Sequence, residues 1–183
     1  MTTADIYWFT GLSGAGKSTI AETAKLKLEL IGFKVLALDG DVVRSELHWE
    51  LGFSKCDIEE NNRLISELCV KKQLEYDIIL VPIISPYRQS RSAAKTKIGK
   101  NFYEIYLYAD LGTLHDRDTK GLYKQARDGV IDNLIGVSKT SKYESPENPD
   151  LKIDTVKYSI HDSVEIFMNF VIKSNSMSEL PNK

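Results

Sequence analysis

The chain has 183 residues, a formal net charge of −2 at pH 7 and 42% hydrophobic residues, which predicts one globular domain over residues 1–175 and a polar, flexible tail over residues 176–183. This charge gives no electrostatic case for nucleic acid or a membrane surface as a partner. No apolar stretch is long enough to cross a bilayer and the first residues lack the layout of a signal peptide, so we expect a cytoplasmic protein.

Five apolar segments predict the strands of a mainly parallel sheet. They cover residues 6–10, 34–38, 78–84 and 102–108, with a weaker candidate at 152–156. Apolar residues at helical spacing predict helices over residues 18–30, 57–74, 88–97 and 161–172. Because strands and helices alternate, we predict an α/β fold with helices on both faces of a five-stranded sheet and a ligand at the carboxyl ends of the strands.

The most specific motif follows the first predicted strand directly and reads Gly-Leu-Ser-Gly-Ala-Gly-Lys-Ser-Thr. A glycine-rich loop between a strand and a helix turns backbone N–H groups toward phosphate oxygens, and the helix adds the positive end of its dipole. Lys17 is placed to reach the β- and γ-phosphates of a nucleoside triphosphate, and Ser18 to bind Mg²⁺. The predicted triphosphate-binding residues are Gly11, Leu12, Ser13, Gly14, Ala15, Gly16, Lys17, Ser18 and Thr19.

Two carboxylates follow the second predicted strand. Asp41 is the candidate catalytic group and a candidate Mg²⁺ ligand, because a carboxylate beside the phosphate loop can hold a metal-bound water or accept the proton of an attacking alcohol. Helix N-capping is the alternative for both Asp39 and Asp41.

Further polar residues are candidates for binding an anionic second substrate. The candidates are Arg44, Asn61, Arg88 and Arg91. Arginine binds phosphate or sulfate through two N–H groups, and the alternative for each of these residues is a solvated surface position. The basic segment 117–127 predicts a mobile lid that closes over phosphates.

Six blocks in order resemble the adenylylsulfate kinase family. They are the phosphate loop, Leu38-Asp39-Gly40-Asp41 with Arg44, Leu51-Gly52-Phe53-Ser54, Ile84-Ser85-Pro86-Tyr87-Arg88, Lys120-Gly121-Leu122-Tyr123 and Pro146-Glu147-Asn148-Pro149-Asp150-Leu151. The resemblance implies a P-loop kinase fold and Mg-ATP-dependent transfer of the γ-phosphate to the 3′-hydroxyl of a nucleotide, adenylylsulfate in this family. Homodimers are common in the family, so a homodimer is one option.

The resemblance also implies roles for single residues. Asp41 is the catalytic carboxylate and Lys120 belongs to the lid. Ser85 matches a position designated as a phosphoserine intermediate, although it could instead only hydrogen-bond the substrate. The residues implied at the second substrate are Asp39, Arg44, Phe53, Asn61, Ile84, Ser85, Arg88, Lys120 and Leu134.

Three departures from the family pattern fall on the side of the second substrate, and one of them is a slightly longer segment over residues 138–142. Ile58 stands where an arginine is expected, with Arg63 as an alternative source of that charge, and Leu134 replaces an aromatic residue that would pair with Phe53 around the adenine. The acceptor is therefore open between adenylylsulfate and another activated nucleotide such as cytidine diphosphoramidate. A GTPase is disfavoured because the Asn-Lys-x-Asp motif is absent. A non-catalytic nucleotide-binding protein is the option from another class.

Overall fold

The computed structural model describes residues 3–40, 43, 50–138 and 140–178, with side chains as far as residue 175. Its strands are β1 (Asp5–Thr10), β2 (Val35–Ala37), β3 (Ile78–Pro82), β4 (Phe102–Tyr108) and β5 (Leu151–Asp154). The α-helices in the described ranges include α1 (Lys17–Leu30), α2 (Lys55–Lys72), α3 (Arg88–Ile98), α4 (Leu111–Arg117), α5 (Leu122–Arg127) and α6 (Ile160–Ser178). The strands pair in parallel in the order β2-β3-β1-β4-β5. The predicted α/β class with a parallel five-stranded sheet is confirmed.

Strand β1 is buried on both faces because it lies at the centre of the sheet. Tyr7 and Phe9 pack with α1 and α6 in one hydrophobic cluster. Ile6 and Trp8 point the other way and pack with α2 and α3 in a second cluster. Since successive side chains of a strand alternate between faces, a continuous apolar run is what a strand covered on both sides needs.

Strands β3 and β5 each end two residues earlier than predicted, for local reasons. Strand β3 stops at Pro82, and the N–H of Ile83 turns back to the Val81 carbonyl at 3.1 Å. Strand β5 stops at Asp154, whose carboxylate accepts the N–H groups of Val156 and Lys157 and so forms a turn. Both ends lie at the carboxyl edge of the sheet, where the polar loops follow.

Three helices begin where a side chain accepts the N–H groups of the first turn, and the periodicity of apolar residues did not predict these starting points. Helix α2 begins at Lys55, two residues before the predicted start, because Ser54 and Asp57 form a reciprocal capping box. The short helices α4 and α5 were not predicted, and Asp110 caps the first while Asp118 accepts the N–H groups of Tyr123 and Lys124 at the second. Helix α6 continues to Ser178 and takes in the first residues of the predicted tail. None of the described helices is long and apolar enough to cross a membrane.

Candidate active site

A cleft of about 520 Å³ opens at the carboxyl ends of the strands, with the phosphate loop along its floor. Since β1 is the central strand, the cleft extends from the loop in two directions. One half lies toward β3 and β2, and the other lies toward β4 and β5. The lining residues of the first half include Asp39, Phe53, Ile58, Asn61, Asn62, Ile84 and Ser85, and those of the second include Arg117, Thr155, Tyr158 and Ser163.

The phosphate loop has the backbone that a triphosphate requires. A Cβ atom at Gly11 would lie 2.4 Å from the Leu107 carbonyl oxygen, so only glycine allows this close approach to β4. Gly16 is the N-cap of α1 and has no side chain to bond the first N–H groups of the helix. Those groups and the helix dipole are oriented for an anion.

The Lys17 side chain lies across the phosphate loop. This side chain is 8% exposed, and its Nζ atom donates hydrogen bonds of 2.8 Å to the carbonyls of both Gly11 and Leu12. The ammonium group is therefore held against the loop that is predicted to bind the phosphates.

The Ser18 hydroxyl donates a 2.6 Å hydrogen bond to the Asp39 carboxylate. Hydroxyl and carboxylate oxygens are hard donors that suit Mg²⁺, which keeps several waters and takes phosphate oxygens as further ligands. In the part of the chain that the structure describes, no three His, Cys, Asp or Glu side chains group as a metal site. The Ser18 and Asp39 pair thus fits a Mg²⁺ ion that arrives with the triphosphate. The predicted Asp41 and Arg44 lie outside the described residues.

Ser85 occupies a tightly determined position in the β3 half of the cleft. Its φ of 42° lies in the left-handed region, and the residue is 2% exposed. The indole N–H of Trp8 and the side-chain amide of Asn62 each donate a hydrogen bond of 3.1 Å to its Oγ atom. Trp8 and Asn62 escaped prediction because both have the spacing of ordinary core positions in β1 and α2.

The structure brings most of the predicted second-substrate residues to this same half of the cleft. Asn61 is 5% exposed and Ile58 is 6% exposed, whereas Phe53 is 61% exposed at the rim. Ile84 and Ser85 form the wall where β3 ends. The position at which the family resemblance predicts an arginine therefore lies in the cleft wall and carries an apolar side chain.

Two of the predicted anion-binding arginines serve other contacts. Arg88 donates to the Glu147 carboxylate and the Ser145 carbonyl, away from the cleft lining. Arg91 is 3% exposed, pairs with Glu104 at 2.5 Å, and donates to the carbonyls of Ser85 and Glu144. Arg63, the alternative source of charge, pairs with Glu60 and Glu67 along α2.

Leu134 does not line the cleft as the sequence predicted. It is 7% exposed and belongs to the hydrophobic cluster between the sheet and helices α1 and α6. The Leu134 carbonyl accepts the N–H groups of Val137 and Ser138, and this turn leaves Ile135 as the cleft residue.

The predicted lid is divided between two short helices. Lys120 lies in the turn between α4 and α5 and lines the cleft, as do Arg117 and Thr119. Arg117 donates to the Thr155 carbonyl and, at 3.2 Å, to its hydroxyl, so the end of α4 is joined to the loop after β5. Arg117 belongs to the predicted lid segment, whereas Thr155 was missed as a cleft residue because it follows a weakly patterned strand.

A family model for adenylylsulphate kinase matches residues 3–154. The chain belongs to the adenylylsulphate kinase family. The family assignment predicted from the ordered blocks is confirmed. The predicted activity class, an ATP-dependent phosphotransferase with an alcohol group as acceptor, is confirmed with it. Members of this family are nucleotide kinases, and the chain is one of them.

Individual relatives support this assignment over nearly the whole chain. The adenylyl-sulfate kinase of Halothermothrix orenii is 43% identical over 167 residues, which cover 90% of this chain and 87% of that protein. The adenylyl-sulfate kinase of Prochlorococcus marinus is 45% identical over 171 residues, which cover 93% and 84% of the two chains. A solved structure of the Mycobacterium tuberculosis APS kinase CysC with AMPPNP and APS is 34% identical, with a TM-score of 0.88 and coverage of 94% of this chain and 99% of that chain.

Proposed function

We propose that the protein transfers the γ-phosphate of Mg-ATP to the 3′-hydroxyl of adenylylsulfate. One observation carries the proposal: the phosphate loop lies in the middle of a single cleft, so that two nucleotides can meet over Lys17. Phosphoryl transfer needs little covalent chemistry from the protein and depends on aligned substrates and cancelled charge. The Mycobacterium tuberculosis relative, whose structure holds AMPPNP and APS together, supports the same arrangement for this chain.

The donor triphosphate would lie on the loop, with its base in the β4 and β5 half of the cleft. The α1 N-terminus and Lys17 would bind the phosphates, and Ser18 and Asp39 would hold Mg²⁺, which supplies positive charge to the transferring phosphoryl group. Arg117 and Thr155, already bonded to each other, would form the wall beside the base.

The acceptor would occupy the β3 and β2 half. The exposed ring of Phe53 offers a stacking surface for a base, and Asn61 and Ser85 offer polar contacts. Lys120 would close on the anionic groups from the turn between α4 and α5. Asp41 remains the predicted catalytic carboxylate and Arg44 a predicted acceptor contact, by family resemblance.

One feature of the cleft wall supports a second candidate acceptor. Ile58 is 6% exposed and lines the acceptor half with an apolar side chain where the resemblance predicts an arginine. Loss of a charge-assisted hydrogen bond costs about 1.5–3 kcal/mol, which is enough to change the preferred acceptor. Another activated nucleotide, such as cytidine diphosphoramidate, is therefore the second candidate.

The experiment compares acceptors directly. The protein is incubated with Mg-ATP and either adenylylsulfate or cytidine diphosphoramidate, and the phosphorylated hydroxyl is located by nuclear magnetic resonance. We expect 3′-phosphorylated adenylylsulfate. Preferential turnover of cytidine diphosphoramidate would favour the second acceptor, and ATP binding without product from either would place the chain in the non-catalytic class.

A pair of variants on α2 tests whether Ile58 selects the acceptor. Ile58→Arg should raise kcat/KM for adenylylsulfate if this position selects the acceptor. Val70→Arg, the same type of change further along α2 and outside the cleft lining, should leave kcat/KM unchanged.

A further inference from the structure

The hydrogen bonds around Ser85 define the direction of its hydroxyl group. An indole nitrogen can only donate, and the Asn62 contact is made by the amide nitrogen, which also donates. A serine hydroxyl has two acceptor lone pairs and one proton. Because two N–H groups already occupy the lone pairs of the Ser85 Oγ atom, its hydroxyl can make one further hydrogen bond, as the donor.

The surroundings hold Ser85 in this arrangement. Trp8 is 0% exposed and Asn62 is 3% exposed, so both donors are fixed by packing. The Ser85 carbonyl accepts a hydrogen bond of 2.7 Å from Arg91, and the Thr10 hydroxyl, which donates to the neighbouring Ile84 carbonyl at 2.7 Å, lies 3.2 Å from it. A non-glycine residue at a φ of 42° costs about 1–3 kcal/mol and persists only where neighbours over-determine it, which occurs mostly at functional sites.

We propose that Asn62 and Trp8 are positioning residues that hold the Ser85 hydroxyl as a hydrogen-bond donor to the acceptor nucleotide. The recipient is an anionic oxygen of the group that the nucleotide carries, since a phosphate or sulfate oxygen is the strongest acceptor in such a ligand. This inference rests on the proposed function, because it requires an acceptor in the β3 half of the cleft. Ser85 then acts as a donor and not as a nucleophile, because attack on phosphorus would need a lone pair that an N–H group already occupies.

Two variants remove one donor each and leave Ser85 in place. Asn62→Leu removes the amide and Trp8→Phe removes the indole N–H, and either change frees a lone pair and lets the hydroxyl turn. We expect the KM for the acceptor to rise about tenfold, as for loss of one hydrogen bond to a charged group, with the KM for ATP unchanged. Ser66→Ala is the control, since that hydroxyl is also buried on α2 but bonds only locally, to the Arg63 carbonyl at 2.6 Å; it should leave both KM values unchanged.

A double-mutant cycle separates positioning from simple damage. In a Ser85→Ala background there is no hydroxyl to orient, so Asn62→Leu and Trp8→Phe should each change the acceptor KM less than twofold. The inference would be overturned if Asn62→Leu and Trp8→Phe raised the acceptor KM by the same factor with and without the Ser85 hydroxyl. It would also be overturned if either change raised the KM values for ATP and acceptor alike. If Asn62→Leu does not fold, as judged by thermal unfolding and ATP affinity, the Trp8→Phe arm decides.

The failure of this inference is distinguishable from failure of the proposed function. A wild-type protein that phosphorylates neither adenylylsulfate nor cytidine diphosphoramidate overturns the proposed function and this inference with it. An active wild-type protein with a fully multiplicative cycle overturns the inference alone. Phosphate found covalently on Ser85 after incubation with ATP would also contradict it.

Discussion

The Tyr123 hydroxyl donates a 2.8 Å hydrogen bond to the Ser13 carbonyl and so attaches helix α5 to the phosphate loop. These residues are 110 positions apart in sequence. Tyr123 is 2% exposed, and its ring lies 4.9 Å from that of His115 on α4. The segment predicted as a lid, residues 117–127, is therefore attached near its middle to the loop that it would cover. Its turn at Lys120 lies between this contact and the Arg117 contact with Thr155, and lines the cleft.

Tyr123→Phe should weaken ATP binding several-fold. The change leaves the buried Ser13 carbonyl without its donor, which costs about 1–3 kcal/mol of unfolding free energy, and it loosens the loop that binds the phosphates. Calorimetry with Mg-ATP and denaturant unfolding measure the two effects. Tyr103→Phe is the control, because that ring stacks on Tyr7 in the sheet and not on the loop; an equal loss of ATP affinity there would contradict the assignment.

Tyr123 should also make the protein less stable at alkaline pH. Burial raises the pKa of Tyr123 from its ordinary 10.0 to about 12. The unfolded chain therefore loses the phenol proton first, and the contribution is complete below pH 10 and declines as the pH rises toward 12. Unfolding free energies measured across this range should fall less steeply in Tyr123→Phe than in the wild type, and identical slopes would exclude this group.

The central sheet could be predicted because its signals are local and repeated. Ile6, Tyr7, Trp8 and Phe9 are all 0% exposed, which requires a continuous apolar run, and the glycine spacing that follows allows few other structures. Helices α4 and α5 escaped prediction because seven and six residues are too few for a periodic pattern. Side-chain caps and the Tyr123 contact hold them, and these depend on the completed fold.

Asp39→Asn should raise the Mg²⁺ concentration needed for half-maximal activity and lower turnover. The carboxylate that bonds to Ser18 would lose its charge, and a neutral amide is a weaker ligand for a hard cation. Activity titrated with Mg²⁺ at saturating ATP measures the shift. Asp77→Asn is the matched control at the opposite edge of the sheet, where this carboxylate accepts the Lys34 N–H at 2.7 Å. Equal titration curves for Asp39→Asn and the wild type would remove Asp39 from the metal site.

Arg91→Met should destabilise the fold far more than Arg88→Met. Arg91 and Glu104 form a pair with side chains 3% and 18% exposed, and removal of one partner from such a buried pair costs about 3–5 kcal/mol. Arg88 and Glu147 are 51% and 69% exposed, and pairs of that kind contribute about 0–1 kcal/mol. Denaturant unfolding of both variants gives the comparison, and equal losses would refute the burial argument.

The two arginines also show why the candidate site could be predicted only in part. Both lie in the first turn of α3, after β3, and nothing local distinguishes them from substrate-binding residues. Their partners, Glu104 and Glu147, come from β4 and from the segment before β5 and are brought close only by the fold. The roles of the phosphate loop residues, in contrast, depend on backbone geometry that the motif encodes.

Ile135→Phe should lower the KM for adenylylsulfate, whereas Leu134→Phe should not. Ile135 and Phe53 line the same cleft. Under the proposed function an added ring at position 135 would supply a second aromatic surface for the adenine, worth about 0.5–1.5 kcal/mol or roughly two- to tenfold in KM. Leu134 is 7% exposed in the core, where a larger side chain costs about 1–3 kcal/mol of stability by overpacking. Kinetics with adenylylsulfate and unfolding of both variants test this difference between the two positions. A lower KM in Leu134→Phe with no loss of stability would restore Leu134 to the acceptor site.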